Sequence, residues 1–248
     1  MSETPPTASN RPLAILVIVC LTVWLIRSGG GCDPALYEQS VRPGINADYA
    51  HPDIPTWMGR FESESREIYK ARDEIVADCR VAEGDVVADI GAGTGLFTLL
   101  FARAVGQDGK VIAVDIVPEF LDLIQQRASD ESITNVSTIL CTERSAELPP
   151  NSIDLAFTSD TYHHFEYPRS TLASIYRALK PGGVFIVIDF ERIEGKSRDW
   201  IISHVRAGRV TVIDEITSAG FVLEQPPAAT YLAENYFLRF KKPSNPNK

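Results

Sequence analysis

Cysteine is scarce in this chain and never paired. Cys20, Cys32, Cys79 and Cys141 show no C-x-x-C spacing, so neither a zinc site nor a disulfide framework is indicated, and Cys79 and Cys141 read as ordinary buried thiols. A basic excess is also missing. With 24 Lys and Arg against 33 Asp and Glu, the net charge is −9, which excludes a nucleic-acid backbone as the expected partner, because phosphate binding needs a basic face. A full-length transmembrane run is absent as well: the longest apolar stretch, residues 13–26, holds 14 residues with only Thr22 interrupting it. As a helix it would rise about 21 Å, short of the roughly 30 Å hydrocarbon core.

That stretch has no polar face to meet water, so it reads as membrane-directed, either a signal-peptide core or a short anchor. Gly29-Gly30-Gly31-Cys32 follows it and is similar to a bacterial lipoprotein cleavage site, with Gly29 where Leu or Val is usual. Arg11 before the run and Arg27 after it give no clear orientation by the positive-inside rule. The remaining sequence, 44% hydrophobic and 23% charged over the 248 residues, suffices for one domain with a full core. The chain therefore divides into an N-terminal segment 1–32, a proline-bearing linker 33–60, a domain 61–242 and a polar tail 243–248.

The domain is organised around Val86-Val87-Ala88-Asp89-Ile90-Gly91-Ala92-Gly93-Thr94-Gly95. An apolar run ends in alternating glycines and is followed at once by a helical pattern from Leu96. This describes a strand, a tight turn and a helix opening against a ligand. The dinucleotide fingerprint needs its third glycine at position 96, where Leu96 stands. About twenty residues on, the strand Lys110–Val114 ends in Asp115, where folds of this kind grip the two hydroxyls of a ribose. Further strands are expected at 136–140, 153–159 and 184–190, alternating with helices. One helix opens at Pro118 and buries Phe120, Leu123, Ile124 and Ala128, and another runs over 211–219. A helical stripe of Phe61, Ile68, Tyr69, Arg72, Ile75 and Val76 precedes the first strand.

The glycine turn with Asp115, together with Leu179-Lys180-Pro181-Gly182-Gly183 leading into a strand, resembles the class I S-adenosylmethionine-dependent methyltransferases. The resemblance covers residues 61–242. It implies an α/β fold: a doubly wound, mostly parallel seven-stranded Rossmann-like sheet with helices on both faces, closed by an antiparallel hairpin from Val222-Leu223 and residues 236–240. It implies S-adenosylmethionine as cofactor, held by Asp89, Gly91, Gly93, Gly95, Asp115 and Ile116. The family's usual Gly-Asp after the third strand is Cys141-Thr142 here, which leaves Thr142 and Glu143 as alternatives for the adenine contact. Methyl transfer is an in-line displacement that needs alignment and, for a protonated acceptor, a base. Asp160, His163 and His164, just past the fourth strand, are the catalytic candidates.

No metal is expected, because adjacent histidines in an extended segment point oppositely and no third ligand is near in sequence. Without an Asn-Pro-Pro-Tyr tetrad after the fourth strand, amino groups of DNA bases are disfavoured. A small-molecule or lipid acceptor is expected, and the oligomeric state is left open. Two other classes compete: a nicotinamide-dependent oxidoreductase on a related sheet, disfavoured by Leu96, and a protein that holds the cofactor without catalysis. A cytoplasmic domain on an uncleaved anchor is the expected placement, with an exported lipoprotein modified at Cys32 as the alternative.

Overall fold

The computed structural model describes Met1 and residues 38–63, 66–225 and 227–244. The chain divides into two units, residues 1–37 and 38–248. The apolar segment 13–26, Cys20, Cys32 and most of the expected tail lie outside the described residues. Among the described residues, no helix is long and apolar enough to cross a membrane.

The second unit is built on one seven-stranded sheet. Its strands are β1 (Val86–Ile90), β2 (Lys110–Asp115), β3 (Val136–Leu140), β4 (Ile153–Ser159), β5 (Leu179–Phe190), β6 (Val222–Glu224) and β7 (Asn235–Lys241), in the order β3-β2-β1-β4-β5-β7-β6. The pairs β1–β2, β1–β4, β2–β3 and β4–β5 are parallel, while β7 runs antiparallel to both β5 and β6. The doubly wound sheet with a terminal hairpin is therefore present. Successive strand residues serve opposite faces: Ala88, Ala156 and Val187 join one apolar cluster, and Val87, Leu155 and Ile186 the other. Both faces must then be covered, which is why the central strands read as continuous apolar runs.

The helices are α1 (Ile54–Phe61), α2 (Glu67–Lys70), α3 (Arg72–Cys79), α4 (Leu96–Ala104), α5 (Pro118–Asp130), α6 (Pro168–Ala178), α7 (Asp199–His204) and α8 (Arg209–Ser218). Three expectations are corrected. The single helix before β1 is three short ones: Ala71, with φ −96° and ψ 15°, breaks the run between α2 and α3. The apolar stripe survives the break, and Ile68, Ala71 and Ile75 are buried. In α5 it is Leu121 rather than Leu123 that joins the buried face. Strand β5 starts at Leu179 and absorbs the Lys-Pro-Gly-Gly turn, because Leu179 pairs with Ile153 before the register shifts ahead of Leu155.

Residues 38–60, in the stretch read as a linker, belong to the same unit as the sheet. The buried Glu38 carboxylate accepts the Arg169 and Ser170 N–H groups, both at 2.8 Å, in the first turn of α6. Such an anion satisfies donors that have no partner within the helix. Glu166 in turn accepts the Gly44 N–H at 2.9 Å and the Ser40 hydroxyl at 2.8 Å.

Candidate functional site

Strand order reverses between β1's neighbours β2 and β4, and a cavity opens at the carboxyl ends of these strands, where an open α/β sheet binds its ligand. Among the sequence-predicted residues, Asp89, Gly91, Gly93, Asp115, Ile116, Thr142, Glu143, Asp160 and His164 line it. Gly95 and His163 do not.

Asp115, ending β2, is held from two sides. Its Oδ2 accepts the Gly93 N–H at 2.8 Å and its Oδ1 the Val117 N–H at 3.0 Å. Burial still dominates and lifts its carboxyl to about 6. Asp89 accepts the Thr98 hydroxyl at 2.6 Å, yet burial raises it to about 7. Two carboxylates on one cavity wall, neither paired with a cation among the described residues, are costly without a polar ligand. The Ser159 hydroxyl, at the end of β4 and also lining the cavity, is buried without a hydrogen-bond partner among the described residues. This donor set fits an aminoacyl nucleoside: an acid for a vicinal diol, an acid for an ammonium, and glycine backbone between them.

Gly91 is required by close approach. Its φ is +72°, and a Cβ there would lie 2.1 Å from the Thr161 methyl. Gly95 caps α4 with φ +86°, and a Cβ there would meet Ile124 at 2.6 Å. Gly95 thus lets α4 pack on α5 rather than facing the cavity.

At the far end of β4, Asp160 accepts the Asn235 amide at 2.5 Å and an ion pair from Arg66. Burial raises its carboxyl to about 6, against the lowering effect of Arg66. His163 is 2% exposed: its Nδ1 lies 2.7 Å from Asp189 Oδ1, and its N–H donates to Asp189 Oδ2 at 2.9 Å. His164 Nδ1 lies 3.1 Å from Asn46 Oδ1. Because that oxygen only accepts, Nδ1 carries the proton and Nε2 keeps the lone pair. Burial and the neighbouring imidazoles push His164 down to about 2, so it is neutral at physiological pH.

Several contributors were not legible in the sequence. Tyr49, Phe61, Arg66 and Phe120 also line the cavity. Tyr49 and Asn46 come from the stretch read as linker, and nothing in their local pattern marks them. Glu62 ties this covering segment to the glycine turn, accepting the Thr94 hydroxyl at 2.6 Å and Arg127 Nη2 at 3.1 Å. Cys141 lines the cavity half-buried, and burial pushes its thiol up to about 12, which suits a packing group rather than a nucleophile. A Tyr-x-x-x-Lys spacing of the kind short-chain oxidoreductases use does occur at Tyr176 and Lys180. Tyr176 packs edge-on against Phe221 at 5.0 Å, and Lys180 pairs at 2.8 Å with Asp154 near the start of β4, at the opposite end of that strand from the cavity.

Residues 88–187 match a family model described as a methyltransferase domain. The ubiquinone/menaquinone biosynthesis C-methyltransferase UbiE of Yersinia pestis (strain Pestoides F) is 31% identical over 153 residues, 61% of either chain. The chain spans about half the length of the curated relatives it matches, 45% and 61% for two of them. A SAM-dependent methyltransferase from Aquifex aeolicus superposes with a TM-score of 0.67 at 22% identity, over 75% of this chain and 97% of the other. The Haemonchus contortus phosphoethanolamine N-methyltransferase 2, solved with phosphomonomethylethanolamine and S-adenosylhomocysteine, superposes with a TM-score of 0.65 at 20% identity, over 82% and 60%. With the switch-point cavity, the glycine turn and the strand-end carboxylates, these matches agree: residues 88–187 carry a methyltransferase domain, and the chain is similar to S-adenosylmethionine-dependent methyltransferases in sequence and in fold.

Proposed function

We propose that this chain transfers a methyl group from S-adenosylmethionine to a small-molecule acceptor. The observation that carries the reading is the shared wall of one cavity, with Asp89 and Asp115 toward β1 and β2 and with Asp160 and His164 just past β4. The cofactor, when bound, supplies an electrophilic methyl on a sulfonium, and the protein aligns the acceptor with it. Asp115, fixed by the Gly93 and Val117 N–H groups, keeps lone pairs for ribose hydroxyls. Asp89, backed by Thr98, takes the ammonium. Gly91 and Gly93 would let backbone approach the cofactor, Ile116 would line its adenosine half, and Thr142 or Glu143, at the exposed rim, would take the adenine contact.

On the acceptor side, Asp160 is engaged by Arg66 and Asn235 and acts by positioning. His163 is a positioning residue too, because Asp189 holds both its backbone and its ring. The Nε2 lone pair of His164, with only the long contacts of the Tyr49 hydroxyl at 3.5 Å and His204 Nε2 at 3.4 Å, is then the one that would serve the acceptor, directly or through a bound cation. The aromatic wall of Tyr49, Phe61 and Phe120 favours a flat apolar acceptor. The activity for which the curated relatives are named, C-methylation in ubiquinone and menaquinone biosynthesis, makes an aromatic ring carbon the first to test.

Isothermal titration with S-adenosylmethionine and NAD, followed by a labelled-methyl screen of cell extract, tests this reading. Binding of the first with a labelled product supports it. NAD binding with silence toward S-adenosylmethionine returns the oxidoreductase reading, and cofactor binding without product leaves a carrier. A tether through residues 13–26 is proposed on sequence alone, with the domain cytoplasmic. Protease added to intact spheroplasts should spare residues 33–248; digestion, or a chain starting at a lipid-modified Cys32, reverses the placement.

A further inference from the structure

The chain has four histidines, and three of them meet beside the cavity. His163 and His164 stand in a 3-10 turn, Tyr162–His164, rather than in an extended segment, so their rings lie 4.3 Å apart instead of diverging. His204, the last residue of α7, comes from forty positions further on and stands 5.2 and 5.1 Å from them, centroid to centroid. One ligand atom from each lies within 4.8 Å of the others. Both premises of the expectation that no metal binds are thereby removed: the adjacent rings converge, and a third ligand is present.

We propose that His163, His164 and His204 bind one zinc-like divalent transition-metal ion at the acceptor end of the cavity. Three features of the geometry carry this. First, the inner nitrogens are taken, by Asp189 on His163 Nδ1 at 2.7 Å and by Asn46 on His164 Nδ1 at 3.1 Å, which leaves Nε2 as the ligand atom of each; the Tyr49 hydroxyl, 3.5 Å from His164 Nε2, is a long contact that an ion would displace. A metal-binding histidine has its second nitrogen held by a carboxylate or amide in just this way, fixing tautomer and orientation. Second, His164 Nε2 and His204 Nε2 lie 3.4 Å apart. That is long for a hydrogen bond, yet two nitrogens about 2.0–2.1 Å from a tetrahedral zinc stand about 3.3–3.4 Å from each other. Third, the third ring is braced, since His204 stacks on Trp200 at 5.1 Å with an 18° interplanar angle. Neutral imidazoles select zinc and the later first-row ions over magnesium or calcium.

His164 lines the cavity, so an ion on its Nε2 would stand at the cavity wall, within reach of an acceptor. A three-histidine zinc with one open position is a catalytic rather than a structural arrangement. There the ion would hold an acceptor oxygen and favour its deprotonated form; this role rests on the proposed methyl transfer, whereas the binding itself does not.

The test uses the full chain, stripped with a chelator and titrated with Zn²⁺ by calorimetry, with Co²⁺ absorption reporting the ligand geometry, in the absence of cofactor and acceptor. Stoichiometric Zn²⁺ binding and a tetrahedral Co²⁺ spectrum are expected. His204→Ala should abolish both, Asn46→Ala should weaken binding about 10- to 100-fold, and His51→Ala should leave it unchanged. Absence of binding to the stripped wild type overturns the proposal without any variant having to fold. So does binding that survives both His204→Ala and His164→Ala. Failure of methyl transfer in a chain that binds zinc this way counts against the function alone.

Discussion

Replacing Asp115 by alanine separates cofactor binding from folding, and both terms follow from the structure. In the folded chain each carboxylate oxygen already accepts one backbone N–H, from Gly93 at 2.8 Å and Val117 at 3.0 Å. Each oxygen keeps a second lone pair for a ribose hydroxyl. Two charge-assisted bonds to the diol contribute about 1.5–3 kcal/mol each. Allowing water to recover part of that in the variant, the loss of even one sets a floor of about tenfold in affinity. Stability changes less, because two effects oppose each other. Alanine leaves two N–H groups without an acceptor, at about 1–3 kcal/mol each. It also removes a buried charge whose rise from 3.8 to about 6 corresponds to about 3 kcal/mol. The net cost is therefore at most about 3 kcal/mol, which leaves a folded protein to titrate. Calorimetry with S-adenosylmethionine, alongside a circular-dichroism melt, measures both. A folded Asp115→Ala protein with an unchanged dissociation constant would remove Asp115 from the cofactor site and with it the reading of the β2 end.

Two other expectations follow from the same wall. Gly95→Ala forces a residue with φ +86° to carry a Cβ 2.6 Å from Ile124, so it should cost about 2–4 kcal/mol by adding left-handed strain to overpacking. Since Gly95 stays off the cavity, affinity in the folded fraction should hold within a few-fold; a large affinity loss without a lowered melting temperature would contradict its packing role. For pH, Asp89 at about 7 and Asp115 and Asp160 at about 6 all lie above their unfolded value of 3.8. Each therefore binds its proton more tightly in the folded state, and its contribution to stability is full below 3.8 and lost as pH rises through 6 to 7. Without cofactor, the melting temperature of wild type relative to Asp89→Asn should rise on going from about pH 8 to about pH 5, while affinity for S-adenosylmethionine falls over the same range. Affinity that is flat across this window would show that ionised Asp89 and Asp115 do not hold the cofactor.

The parts of the fold that were legible in the sequence are those where one local rule decides. Strands β1, β2, β3 and β4 are apolar runs bounded by turn residues, and their ends were readable because burial on both faces leaves no other use for such runs. Strand β5 was readable only from Val184, because Leu179 joins the sheet through a register shift opposite Ile153, and a shift depends on the partner strand. The helix before β1 departs from its sequence pattern for the opposite reason. Its apolar stripe is real, with Ile68 and Ile75 both buried, but a stripe records which residues face the core and not whether the backbone between them is continuous. Residues 38–60 carry no periodic signal at all. Their order comes from Glu38 on α6 and from Glu166 on Gly44, contacts spanning more than a hundred residues.

The site divides along the same line. The glycine turn and Asp115 were legible because ligand binding at a strand end fixes both residue type and spacing within one β-α-β unit. Nothing comparable marks the proposed acceptor side, where Asn46 and Tyr49, Arg66, Asp189 and His204 converge on Asp160 and the histidine pair from four separate segments. His163-His164 shows why spacing failed there. Two adjacent side chains diverge in a strand and converge in a 3-10 turn, and the choice is made by Asp189, which takes both the backbone N–H and the ring of His163. Asp189 in the sequence is only the acidic residue near the end of an apolar strand. A buried carboxylate 1% exposed needs such donors to be tolerated at all, so the burial of Asp189 and the curl of the histidine turn form one arrangement. That arrangement also brings His163 up to the ring of His204. The proposed acceptor chemistry would therefore depend on β5 and α7 as much as on the residues that follow β4, and Asp189→Asn, which keeps the volume but weakens the grip on His163, should reduce Zn²⁺ affinity about 10- to 100-fold while leaving S-adenosylmethionine affinity unchanged. Equal losses in both titrations would mean that Asp189 supports the sheet edge as a whole and not the histidines in particular.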